Sequence, residues 1–201
     1  MKLLLATHNQ GKIKRYRNLF SEIKNLELIT LADLGITAKV DEPFNTPEEN
    51  SIHKAREYGR LSNLPTIAID EAVTTNFLPE NEQPGVLVRR FKENRGLSDL
   101  EILDLWRGIF KNYPNQDLKF IWDFSLSYYH PETEELKTIK TAQLDSVAIE
   151  FSKIIDHGYP MSSFLIPQNL TKTYSELTSE EFLLVDKNNL KPFLDFINNL
   201  C

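Results

Sequence analysis

The chain has 201 residues, 41% of them hydrophobic and 26% charged, which is enough to bury a substantial core in one domain or two closely joined lobes. A net charge of −6 argues against a general nucleic-acid binder, whose affinity comes from neutralising phosphates, but leaves room for a small anion in a local basic pocket. The single cysteine, Cys201, excludes an internal disulfide, and four scattered histidines show no zinc spacing. Leu3–Leu5 is too short for the apolar core of a signal peptide, and no window approaches the ~18 apolar residues of a membrane span. The expectation is a cytoplasmic protein that binds neither nucleic acid nor membrane.

In chain order, Leu3 to Ala6 reads as a strand that stops in the polar turn Thr7-His8-Asn9-Gln10. A helix follows from Gly11 to Phe20, with Ile13, Tyr16 and Phe20 at helical spacing. A helix N-terminus offers unpaired N–H groups and partial positive charge, and Thr7, Asn9 and Lys12 are phosphate-binding residue types. The turn is not a P-loop, since Lys12 is followed by Ile13 and the two spaced glycines are missing. The basic run Lys12, Lys14, Arg15, Arg17 reads most simply as a solvated helix face.

Leu26 to Leu31 is a second strand, and 41–45 a loop. The next helix begins with Thr46 as N-cap, Pro47 at its first position and Glu49 three residues on, and runs to about Asn63 over Ile52, Ala55 and Tyr58. Thr66 to Asp70 is expected as a short strand ending in a carboxylate, with 76–85 irregular. Leu100, Leu103, Trp106 and Phe110 mark a helix. The segments 120–129 and 137–151 form a long hairpin around 130–134. Residues 156–168 read as loop, and Leu190, Phe193, Leu194 and Ile197 as a closing amphipathic helix. The fold class is α/β with a mixed sheet.

Thr7–Lys12, Glu49–Lys54 and Asp70–Glu71 each lie at a strand end or helix start, where side chains can meet over one sheet edge. They supply carboxylates for a metal ion and lysines for phosphates, a set suited to phosphoryl or nucleotidyl chemistry. Leu5-Ala6-Thr7-His8-Asn9-Gln10-Gly11-Lys12 resembles the ATxNxGK opening of the inosine triphosphate pyrophosphatase (Ham1-like) family. Thr46 to Ala55 is similar to its TFxENAxxKA motif, and Pro84 to Phe91 to PGVxSARY. Gly158-Tyr159 with Phe164-Leu165-Ile166-Pro167 resembles GYDPIFIP, and Lys172 to Leu177 resembles KTFAEL. Five motifs in order span roughly residues 1–185.

The resemblance implies an elongated mixed-sheet α/β fold over 1–201, with two lobes around a central nucleotide cleft. It implies Mg²⁺-dependent hydrolysis of nucleoside triphosphates, deaminated purines preferred, to monophosphate and pyrophosphate, and a homodimer. Carried over residue by residue, it places Thr7, Asn9, Lys12, Lys54 and Arg90 on the substrate's phosphates or base, and His157 and Tyr159 beside the base. Glu49 and Asp70 hold the metal, and Asp70, with Lys12 beside it, prepares the attacking water. Structural readings stand next to these. Asn9 could stabilise its turn, Glu49 could complete a capping box with Thr46, and Lys54 and Arg90 could be surface cations.

Three departures stand out. The family's ADDSG reads Ala68-Ile69-Asp70-Glu71-Ala72 here, keeping only the second aspartate; Glu71 would replace the first only against strand alternation. His157 stands where an aromatic is usual, and Arg15 where a glutamate is usual. The base-reading SHR motif has no counterpart in Leu183 to Asn188. The alternative reading is a degenerate member that binds nucleotide without hydrolysing it.

Overall fold

The computed structural model describes residues 1–88, 91–92 and 96–201. Leu3, Leu4 and Leu5 are fully buried in strand β1 (Lys2–Leu5), as a central parallel strand covered on both faces demands. Helix α1 (Gln10–Leu19) leads to β2 (Glu27–Thr30), and helix α2 (Pro47–Ser62) to β3 (Thr66–Thr75). Helix α3 (Asp99–Phe110), β4 (Lys119–His130), β5 (Glu135–Val147), β6 (Leu165–Pro167), α4 (Ser179–Asn189) and α5 (Lys191–Leu200) complete the order. The sheet order is β2-β1-β3-β4-β5-β6, with β1 parallel to β2 and β3, and β5 antiparallel to β6. The expected mixed α/β fold is therefore present.

Within β3, β4, β5 and α4 the chain divides into two compact units: Met1–Glu71, Asp123–Thr141 and Asp186–Cys201 form the first, Ala72–Trp122 and Ala142–Val185 the second. In the first, α1 buries Ile13, Tyr16 and Leu19, and α2 packs Ala55 and Tyr58 with Leu4, Ala6, Leu31, Ala68 and Tyr129. Gly59 of α2 is needed for that packing, because a Cβ there would lie 2.6 Å from the Tyr129 ring. Asn63 ends α2 in the left-handed conformation at φ 55°, one of the few non-glycine residues that adopts it readily. Phe193 and Ile197 are the buried face of α5.

The second unit is filled by aromatic and aliphatic side chains: Trp106 of α3 meets Phe120 of β4 edge to face at 4.7 Å and stacks on Phe91 at 5.3 Å.

The structure departs from three of the sequence expectations and adds one helix. Strand β3 continues to Thr75, so Asp70 is interior to the strand; the run Ala72-Val73-Thr74-Thr75 is β-prone, and Val73 exchanges two 2.9 Å backbone bonds with Gly85. Leu100 is 63% exposed, and Ile102 and Ile109 join Leu103 and Trp106 as the buried face of α3. Residues 156–168 contain a short 3₁₀ turn, Pro160–Ser163, and strand β6. Helix α4 was not expected, although Thr178 and Glu181 start it with reciprocal capping bonds of 3.2 and 2.9 Å.

Candidate functional site

The turn after β1 is built by its own side chains. The Asn9 N–H donates to Thr7 Oγ1 at 3.1 Å, and Asn9 Oδ1 accepts the N–H groups of Gly11 and Lys12 at 2.9 and 3.2 Å. Asn9 is thus the N-cap of α1, and Lys12 sits in a first turn that carries no acidic residue. A cation there is unfavourable against the helix dipole unless anions face it.

Anions do face it. The Lys12 side chain is 12% exposed, with Nζ 3.3 Å from Glu71 Oε1 and 4.0 Å from Asp70 Oδ1. Burial is the largest influence and pulls its pKa down. Glu71, Asp70 and Glu42 together outweigh burial and hold the ammonium above the ordinary lysine value. Lys12 thus lies within ion-pair distance of two consecutive carboxylates of β3, although strand alternation points them to opposite faces.

Lys54, buried on α2, donates to Asp70 Oδ1 at 2.8 Å and to Glu42 Oε1 at 2.6 Å. Two carboxylates from separate segments therefore share one ammonium. The cluster holds Lys12 and Lys54 against Asp70, Glu71 and Glu42, with Asp70 7% exposed. Glu42 was not anticipated: it lies in a loop, and no spacing singles it out.

Glu49 is placed differently. Its N–H donates to Thr46 Oγ1 at 3.2 Å while its Oε2 accepts the same hydroxyl at 2.6 Å, so the carboxylate serves the start of α2. Among the described residues no group of three His, Cys, Asp or Glu side chains is arranged to hold a metal ion. The carboxylates are spread around two ammoniums.

The basic face of α1 is only partly solvated. Arg15 is 11% exposed, forms a two-toothed pair with Asp186 at 2.6 to 3.1 Å and lies 5.3 Å from the Phe124 ring centre. Lys14 and Arg17 are exposed as expected.

In the second unit, His157 is fully exposed, with Nδ1 3.1 Å from Asp99 Oδ2. The same oxygen accepts the Gly158 N–H at 2.9 Å. Gly158 has φ +87°, a left-handed turn that glycine adopts without strain, and Tyr159 beside it is half-buried. Arg90 lies outside the described residues.

The model of the Ham1 family matches residues 3–187, a span that contains the whole lysine–carboxylate cluster. The chain belongs to the Ham1 family. A relative named dITP/XTP pyrophosphatase from Thermoanaerobacter pseudethanolicus is 31% identical over 189 residues, 90% of this chain and 87% of that protein. One of the same name from Bacillus subtilis is 27% identical over 200 residues, 98% and 93% of the two chains. A HAM1 protein structure from Coxiella burnetii superposes with TM-score 0.76 at 19% identity, covering 100% of this chain and 98% of that one. The Staphylococcus aureus Ham1 structure gives 0.73 at 20%, covering 100% and 97%. These structures show a shared fold. Among the described residues no helix is long and apolar enough to cross a membrane.

Proposed function

We propose that this Ham1-family chain is a nucleoside triphosphate pyrophosphatase, releasing monophosphate and pyrophosphate from substrates of the dITP and XTP class named for its relatives. The observation that carries the reading is the Lys54 ammonium shared by Asp70 and Glu42 with Lys12 alongside. With a divalent cation bound, Asp70 and Glu42 would hold it, and the ammoniums of Lys12 and Lys54 would be left to bind the phosphates.

The donor set fits Mg²⁺, a hard cation that uses one or two carboxylates and completes its shell with waters and phosphate oxygens. Asp70 and Glu42 are the protein ligands in this reading, with Glu71 beside them; Glu49 supports the start of α2. The bound cation would polarise the phosphoryl oxygens and neutralise charge. Lys12 and Lys54 hold the phosphates, and Asp70 accepts the proton of the attacking water. Thr7 and Asn9 shape the turn that places Lys12. Arg90, His157 and Tyr159 are carried as substrate contacts.

The reading treats 1–201 as one ITPase-like domain of a cytoplasmic homodimer, which sedimentation analysis tests for its oligomeric part. A panel of dITP, XTP, ITP and ordinary triphosphates with Mg²⁺, assayed for pyrophosphate release, tests the activity. Turnover supports it. Tight calorimetric binding with no turnover on any member would favour the non-hydrolysing alternative.

A further inference from the structure

Glu42 sits in a segment without regular structure, yet its carboxylate is set within 2.6 Å of a buried ammonium. Something must hold that segment, and α2 does so on both sides of Glu42. On one side the Tyr58 hydroxyl accepts the Val40 N–H at 3.1 Å and donates to Ala38 O at 3.0 Å. On the other side stands Asn50, 1% exposed.

Asn50 Oδ1 accepts the Phe44 N–H at 3.1 Å, and its Nδ2 donates to Phe44 O at 3.0 Å. Both bonds run to the backbone of one residue, and that backbone dictates which end of the amide faces which group. An asparagine is rarely buried so completely unless its amide is matched. Here the matching is directed outward, to a residue that is 38% exposed and whose ring lies 5.6 Å from that of His53. The amide therefore anchors a loop.

The link from Phe44 to Glu42 is stiff. Pro43 lies between them, with φ confined by its ring, and a residue preceding proline is pushed out of the helical region. Fixing Phe44 therefore restricts the direction in which Glu42 leaves the chain. We infer that Asn50 is a positioning residue, which through Phe44 and Pro43 holds the Glu42 carboxylate at Lys54 and so completes the proposed cation and phosphate site. This rests on the reading of that cluster given above.

The experiment is calorimetric binding of tripolyphosphate in the presence of Mg²⁺, which requires no turnover. The proteins are wild type, Asn50→Ala, Glu42→Gln, the double variant and Pro43→Gly. Asn50→Ala and Glu42→Gln are each expected to weaken binding about tenfold, the scale seen when a partner orienting a metal ligand is lost. The double variant is expected to bind no worse than Glu42→Gln alone, because Asn50 acts through Glu42. Pro43→Gly, at an exposed position, leaves the Asn50 bonds in place and is expected to weaken binding in the same direction but less; it keeps the test open should Asn50→Ala not fold. Wild-type affinity in Asn50→Ala or Pro43→Gly overturns the inference alone, as does a further loss when Asn50→Ala is added to Glu42→Gln. A wild-type protein that binds no tripolyphosphate overturns the reading of the cluster and the inference together.

Discussion

Beside the leucines of β1, the first unit buries Lys54, Asp70 and Asp186 and largely covers Lys12 and Arg15, whereas the second buries the carboxylate of Asp145 within an interior filled by Trp106, Phe120, Phe164 and their aliphatic neighbours. Lys12 and Lys54 are tied to Asp70, Glu71 and Glu42 in one cluster, and Arg15 to Asp186 in a pair, by contacts as short as 2.6 Å. The second unit's expected substrate contact, His157, stands wholly in solvent on one carboxylate. A buried charge must be matched or it costs several kcal/mol, so each partner is held in one geometry. Aromatic packing is set by shape and by the edge-to-face preference of the rings. The proposed phosphate-facing groups are thus held by matched charges, and the proposed base-facing contact hangs on a turn.

The strongest way to break this contrast is Asp70→Asn. It removes the carboxylate that Lys12 and Lys54 share, and pyrophosphate release from dITP or XTP is expected to fall about a thousandfold. Trp106→Ala should act on the other unit and on stability, costing about 4 kcal/mol in a denaturant titration because a large void opens in the aromatic core. Asp186→Ala strands the Arg15 guanidinium and is expected to cost about 3 kcal/mol, while Arg15→Met with Asp186→Leu recovers most of it. Equal stability of Asp186→Ala and wild type would remove this pair from the list of constraints.

A smaller effect concerns pH. Lys12 is held above its ordinary value, so its contribution to stability is fully present below about pH 10.5 and is lost as pH rises through the folded-state value. Lys12→Met should therefore flatten the alkaline fall in unfolding temperature, and an unchanged slope would count against the ion cluster. His157→Ala is expected to leave the unfolding temperature unchanged. In the proposed role it shifts the ratio of kcat/KM between purine triphosphates by less than about tenfold.

Local signals in the sequence carried much of the architecture. The N-cap at Thr46 with Pro47, the apolar spacing of α1 and α5 and the turn at 130–134 all sit where they were read, because caps, periodicity and turns depend on neighbours within a few residues. The start of α4 carries the same kind of signal, Thr178 with Glu181, but the segment has no clear apolar stripe to mark it as a helix. Lys12, Lys54 and Asp70 were legible as phosphate and metal residue types, and the structure brings those three together. The partnership of Lys54 with Glu42, the anchoring of Glu42 by Asn50 and the pairing of Arg15 with Asp186 were not legible. Chain order alone determined that the strand, turn and helix at the N-terminus would present Lys12. Only the tertiary structure decided which charges face one another, because an ion pair between distant segments is set by how the strands and helices pack, and no spacing along the chain records it.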